Sequence, residues 1–319
     1  MLILLRRLVQ LAVVFLVVTF FTVCLMALVP GKPETLVIPF DTSPNQQLTA
    51  DFRAENNLDD PLPVRWVKWT GKFLTGDMGQ IYSSSDSEPV KDRIFKAAPT
   101  SMLLIGYTEV FSLLVAVPLA VWAAYRAGGW VDKVLNTVMF GFISLPSFAI
   151  ALTLSFILAV QLDLVPSQGY TKPGEDLVEH FKSVIIPVLA LSLGQIAIFM
   201  RLLRSDLVAT LQEDFILMAK AKGISNGRVL WRHALRPSSL TLLTVAGLSV
   251  GTLIGGTLVV EFLLGIPGLG LLVGSSILAR QYVLLQSLVA VIAIAFVSVN
   301  FLVDYLYTVL DPRIRERRT

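Results

Sequence analysis

Six long apolar runs, almost free of charge, dominate the chain at 8–29, 97–125, 134–162, 184–200, 240–260 and 283–303. A helix needs ~20 mostly apolar residues to cross the hydrocarbon of a bilayer. The fourth run is the shortest, and its helix is expected to continue past Arg201. The second run carries one internal charge, Glu109, and the third contains Pro146. The pattern predicts an all-α membrane protein with six transmembrane helices. Composition agrees, since 15% of residues are charged and mean hydropathy is +0.72, whereas soluble domains carry roughly 25% charged residues.

The loops can be oriented by their charge. Cytoplasmic loops carry an excess of Lys and Arg. With the N terminus inside, the inner side holds Arg6, Arg7, Arg126, Lys133, seven basic residues from Arg201 to Arg236 and four after Asp311. That is 15 of 26, and eight of the other 11 lie in the first outer loop. Loops beyond ~60 residues translocate largely regardless of charge. Excluding that loop leaves 15 basic residues inside against 3 outside, so both termini are expected in the cytoplasm. The first run, 22 residues long, exceeds the ~7–15 of a signal-peptide core. Leu28-Val29-Pro30-Gly31 is also a poor cleavage site, so this run is read as a permanent span. The expected organisation is an N-terminal transmembrane helix at 1–30 and an extracytoplasmic loop at 31–96. A five-helix core at 97–310 follows, containing a cytoplasmic loop at 205–237, and then a cytoplasmic tail at 311–319.

Several chemistries are excluded. The net charge of +3 is explained by topology and requires no nucleic acid. Cys24 is the single cysteine, so it has no intramolecular disulfide partner and reads as a small apolar residue. His180 and His233 stand far apart, and no Cys/His/carboxylate cluster has metal-ligand spacing, so no metal site is expected. There is no G-x-x-x-x-G-K-[ST] loop, no nucleophile elbow and no H-E-x-x-H, so the chain reads as a non-enzyme.

The polar stretch 213–237, between the fourth and fifth runs, is too patterned for a connector. Glu213 and Asp214 lead it, and Lys220, Lys222, Arg228, Arg232 and Arg236 follow. Phe215, Met218 and Ala219 recur at helical spacing until Gly223, which permits the left-handed turn that ends a helix. Ala219 and Ala221 leave a small surface for close approach, and the lysines can meet a partner's carboxylates or helix C-termini. Ser225 can cap a second helix carrying Val229, Leu230 and Leu235. A helix–Gly–helix module on the inner surface suggests that something docks there; the alternative is a solvated basic loop that only sets topology.

Four other patterns carry candidate roles. Gly247, Gly251 and Gly255, with Gly256 beside the last, form a doubled small-xxx-small ridge, suited to close helix packing or to a translocation path. Glu261 is read as following the fifth span, ahead of a Gly/Pro-rich turn containing Gly265, Pro267, Gly268 and Gly270. Glu109 is the one charge deep in a span, and such groups are costly unless they face protein interior or water. Trp66, Trp69 and Phe73 fall on one helical face, either at the headgroup level or packed on the outer ends of the spans.

The loop resembles the coupling loop of binding-protein-dependent ABC importer permeases, and more narrowly their dipeptide/oligopeptide/nickel branch. The carrying residues are Phe215-Ile216, Ala219-Lys220-Ala221-Lys222-Gly223 and Arg232-His233-Ala234-Leu235-Arg236-Pro237. The resemblance continues, in order, at Pro30-Gly31-Lys32-Pro33, Leu58-Asp59-Asp60-Pro61, Gly76-Asp77-Met78-Gly79 and Ser144-Leu145-Pro146-Ser147-Phe148. It resumes at Leu164-Val165-Pro166-Ser167-Gln168-Gly169, Val260-Glu261, Gly265-Ile266-Pro267-Gly268-Leu269-Gly270 and Asp311-Pro312-Arg313. The wider superfamily opens the loop with Glu-Ala-Ala, where this chain has Leu217-Met218-Ala219. The branch often has a glutamate early in span two, at a position resembling Leu103; Glu109 lies deeper.

The resemblance implies a type I importer permease fold in a prokaryotic plasma (inner) membrane. It implies that the segment Glu213 to Gly223 docks on an ATPase subunit, and that Glu261 and the Gly265–Gly270 turn form an external gate. It implies a second homologous permease, two ABC ATPases carrying the ATP and Mg, and an extracytoplasmic binding protein; lipid surrounds the spans and no cofactor sits on this chain. Peptide cargo is expected. Nickel or modified peptides remain alternatives within the same architecture, and a stand-alone secondary transporter or a membrane scaffold lies outside it.

Overall fold

The computed structural model describes residues 2–28, 53–54, 57–82 and 87–310. The motifs at 30–33 and 311–313, residues 83–86 and the tail 311–319 lie outside the described residues. The elements, in order, are helix α1 (Leu2–Leu28), α2 (Leu62–Leu74), strands β1 (Gln80–Tyr82) and β2 (Ser87–Pro89), α3 (Val90–Tyr125), α4 (Trp130–Ser144) and α5 (Ser147–Leu154). There follow α6 (Leu177–Thr210), α7 (Asp214–Ala221), α8 (Asn226–Leu264), α9 (Leu269–Leu278) and α10 (Tyr282–Leu310). The strands pair antiparallel, with Ile81 opposite Glu88.

Five helices are long and apolar enough to cross a membrane: α1, α3, α6, α8 and α10. The third expected span departs from a straight helix. It breaks between Ser144 and Ser147 into two segments bent by 100°. The cause is Pro146, which disfavours the helical region for the residue before it. Leu145 accordingly sits at φ −96°, ψ 129°. Counted as one bent span, the pair makes six. The second half ends in wide π-type turns over Ser155–Gln161. Pro187 is accommodated inside α6, which is capped by the preceding Asp176, whose carboxylate accepts from the Val178 and Glu179 amides.

Two further boundaries differ from expectation. The helix opening after Ser225 is continuous with the fifth span and forms α8, which passes through π-type turns at Val229–Ala234. Ser225 occupies the cap position, but its side chain makes no capping bond. The turn after the fifth span leads into a short apolar helix, α9, that periodicity did not reveal.

The described residues fall into two compact units, one drawn from 1–101 and 261–301, the other from 102–260 and 302–310. In the first unit, the aromatic face of α2 packs on α1. Phe15 lies 5.5 Å from Phe73 and 6.4 Å from Trp69 between ring centroids, and Trp66 meets Phe20 edge-on at 5.3 Å. The Trp66 indole N–H donates to Thr19 Oγ1 at 3.1 Å. These rings therefore pack against α1 around Phe15 to Phe20, near its middle and short of its outer end. In the second unit, a single core runs through Ala116, Ala120 and Ala124 of α3, Phe199, Met200, Leu203 and Leu207 of α6, and Leu242 and Ala246 of α8. Small residues on α3 admit the large ones of α6, the close-packing solution available where lipid supplies no hydrophobic drive between helices.

Candidate functional site

The loop helix α7 is bolted to that second-unit core. Ile216 is fully buried and Ala219 nearly so, and both belong to the same apolar cluster as Leu203, Leu207, Val229, Leu230 and Ala234. Burying a side chain the size of Ile stabilises by about 1.5–3 kcal/mol, enough to hold a two-turn helix against the ends of α6 and α8. Ala219 therefore faces inward and offers no docking surface, contrary to the sequence reading. The opposite face presents Leu217, Met218 and Ala221, flanked by Phe215, and all four are exposed. Glu213, Asp214, Lys220 and Lys222 are also exposed.

The C-terminus of α7 is a complete Schellman motif. Gly223 sits at φ +76°. Its N–H donates to Lys220 O at 2.9 Å, and the Ile224 N–H reaches back to Ala219 O at 3.3 Å. Ile224 then packs against the core cluster. Asp214 in the first turn and Lys220 in the last complement the helix dipole.

Two groups that sequence reasoning passed over tie the same region together. Asp132, buried at the start of α4, accepts from Arg204 Nε at 2.9 Å and Nη2 at 2.5 Å, from the Gly128 amide at 2.9 Å and from Asn136 Nδ2 at 2.8 Å. This bidentate pair joins α4 to α6. Thr210 and Ser238 hydroxyls, 2.9 Å apart, join the end of α6 to α8. Arg201 rests 3.8 Å above the Phe140 ring. The one available sequence signal was a lone acid after a Gly-Gly pair with an unassigned arginine beyond span four. His180 is also partnered: its Nδ1 lies 2.7 Å from Thr171 O and its Nε2 lies 3.2 Å from Tyr107 Oη.

The Gly/Pro turn belongs to the first unit. Glu261 lies inside α8, fully buried, and does not follow the span. The helix runs on because Gly255 and Gly256 are tolerated in its interior and Gly265, at φ +65°, is the first residue able to stop it. The Ile266 N–H closes the turn on Glu261 O at 2.9 Å. The Glu261 carboxylate accepts from the Gly270 amide at 2.6 Å, and Ser101 Oγ accepts from the Leu269 amide at 2.8 Å. These side chains cap the first two N–H groups of α9, and a carboxylate there meets the positive end of its dipole. Gly268 is required by proximity, because a Cβ would collide with the Glu261 carboxylate and lie 2.6 Å from Ser101 Oγ. Pro267 is exposed at the apex, and Gly268 and Gly270 are buried.

The glycine ridge of α8 is used unevenly. A Cβ on Gly247 would lie 2.5 Å from Val303 Cγ1 of α10, so this glycine admits a close crossing. Gly251 is buried; Gly255 is exposed, with open space where a Cβ would stand. Glu109 of α3 accepts from Ser249 Oγ of α8 at 2.9 Å.

Long apolar helices, one of them broken at a proline, with a short helix clamped to the ends of α6 and α8 and presenting an apolar face, define a multi-pass membrane protein. The chain belongs to the family of binding-protein-dependent transport system inner membrane components, whose pattern matches residues 116–316. Its relatives include the "Probable peptide ABC transporter permease protein y4tP" of Sinorhizobium fredii, 35% identical over 311 residues and covering 98% of each chain. The "Nickel import system permease protein NikB" of Staphylococcus aureus is also 35% identical, over 316 residues, covering 98% of this chain and 91% of that one. The protein is thus an ABC importer permease of the inner membrane.

Proposed function

We propose that this chain is one of two permease subunits of an ATP-driven importer that moves di- or oligopeptides, with its termini and α7 on the cytoplasmic side. The supporting observation is α7, a helix held rigidly by Ile216 and Ala219 that displays Phe215, Leu217, Met218 and Ala221. An exposed apolar face on a firmly anchored helix suits a surface that a partner covers and pushes on. The partners are a homologous permease, two ABC ATPases that hydrolyse ATP with Mg, and an extracytoplasmic binding protein that delivers cargo.

The mechanism is alternating access. Closure of the ATPases displaces α7 as a rigid body. Because α7 shares one apolar core with α3, α6 and α8, its displacement is carried into the spans through packed side chains and the Asp132–Arg204 pair. The Gly265–Gly270 turn, capped by Glu261 and Ser101, is the external gate region. The peptide reading follows the Sinorhizobium relative. A nickel reading follows the Staphylococcus relative and keeps every other part of the mechanism.

The test is co-purification in mild detergent of the chain and a Leu217→Glu/Met218→Glu variant, with mass spectrometry of what accompanies each. The ATPases and second permease are expected with the native chain, and the variant is expected to keep the permease and lose the ATPases. ATPases retained by the variant would refute the docking role of α7. Reconstituted importer supplied with its binding protein, and with radiolabelled tripeptide or radioactive nickel, decides the cargo.

A further inference from the structure

We propose that Glu109, with Thr108 and Ser112, forms an intramembrane site for the α-ammonium group of the peptide in transit. The inference rests on the importer reading above and names the substrate chemistry it handles.

Three helices of the second unit bring polar side chains together here. Thr108, Glu109 and Ser112 occupy one side of α3 near its midpoint, within one turn. The Ser249 hydroxyl of α8 lies 2.9 Å from Glu109 Oε2 and 2.7 Å from Ala246 O, one proton facing both acceptors, and Ser192 of α6 donates to the Thr108 carbonyl at 3.3 Å. Gln195, one turn along α6, is buried. Glu109 is half-buried, whereas Thr108 and Ser112 are fully buried behind it. A carboxylate at this depth is expensive unless a proton or a cation accompanies it. No ion pair among the described residues involves Glu109.

The hydroxyls supply the second observation. Buried Ser and Thr in helices normally return their proton to a carbonyl three or four residues back. Thr19, Ser183, Ser238 and Thr257, all buried, do so. Thr108 and Ser112 do not. Their oxygens are buried without a hydrogen-bond partner, as is Glu109 Oε1. Three buried acceptor atoms thus stand unused on one face of one helix turn. A primary ammonium carries three N–H donors and one positive charge, matching them in number and in charge. One carboxylate with two hydroxyls is a poor donor set for a transition-metal ion, which prefers imidazole or thiolate.

The experiment uses the detergent-purified permease–ATPase complex without binding protein, so the measurement is of this site. Binding of radiolabelled trialanine is competed by unlabelled trialanine and by N-acetyltrialanine. The native complex is expected to prefer the free amine by about tenfold or more, the scale of a hydrogen-bonded charge. Glu109→Gln keeps the side-chain shape and is expected to abolish that preference while leaving assembly unchanged. Where that variant fails to assemble, Thr108→Val/Ser112→Ala retains the carboxylate and is expected to reduce the preference. Equal competition by both peptides in the native complex, unchanged preference in the variants, or no saturable trialanine binding would each overturn the proposal. Binding-protein-dependent uptake of trialanine by native proteoliposomes is measured in parallel. Uptake without an amine preference sinks this inference alone, and absence of uptake of any peptide sinks the cargo reading beneath it.

Discussion

Replacing Gly223 tests whether backbone conformation alone holds the loop helix in register. Gly223 occupies φ +76°, and a Cβ built there meets nothing within 4 Å. No clash contributes, so the whole penalty of Gly223→Ala is that of an L-residue in the left-handed region, about 1–2 kcal/mol. At ~1.4 kcal/mol per factor of ten, the turn should open roughly 5–30-fold more often. Asparagine is several-fold enriched in this region and should lose less. Valine, β-branched, should lose more. The readout is amide hydrogen exchange at Ile224, whose N–H closes the motif on Ala219 O. Exchange should quicken in the order Gly, Asn, Ala, Val, and ATPase capture should weaken in the same order. Alanine exchanging as slowly as glycine, or asparagine faring no better than valine, would refute the argument.

Three further outcomes are expected. Gly268→Ala should displace the Glu261 carboxylate and Ser101 hydroxyl from the start of α9; each buried amide left unpaired costs about 1–3 kcal/mol, so the thermal transition of the purified chain should fall, and an unshifted transition would contradict the capping account. Asp132→Ala strands the Arg204 guanidinium, whose side chain keeps 27% exposure, so the loss should fall toward the low end of the ~3–5 kcal/mol seen when a buried pair is broken. Yield of monodisperse protein on size exclusion is the measure, and Asp132→Ala/Arg204→Met should recover part of it. Gly247→Leu must displace Val303 whereas Gly255→Leu enters open space, so the first should lower thermal stability and the second should leave it close to native; equal effects would mean the ridge packs differently.

The candidate site was legible in its ends and illegible in its faces. Gly223 was readable because a helix pattern stopping at a glycine has few physical meanings. The orientation of Ala219 was not readable, since alanine suits a docking surface and a buried anchor equally well. Only the packing of Ile216 and Ala219 against Leu203, Leu207 and Val229 decided between them. Glu261 was misplaced for a related reason. Hydropathy ends a span at the first charge, but a carboxylate that caps a neighbouring helix can be buried inside one. Asp132 and Arg204, 72 residues apart, carry no local signal of their pairing.

Length and apolarity determined the membrane class and the positions of five long helices, because hydrocarbon thickness imposes a minimum run that no soluble fold requires. Local chemistry also located two places where the chain must turn, at Gly223 and in the stretch from Gly265 to Gly270. The tertiary structure decided what each turn is for. It set the 100° bend at Pro146, joined the loop's second helix to the fifth span, aimed Ile216 and Ala219 inward, and brought Ser249 to Glu109. These outcomes depend on which side chains meet across helices, and that information lies in three-dimensional packing that one-dimensional periodicity does not carry.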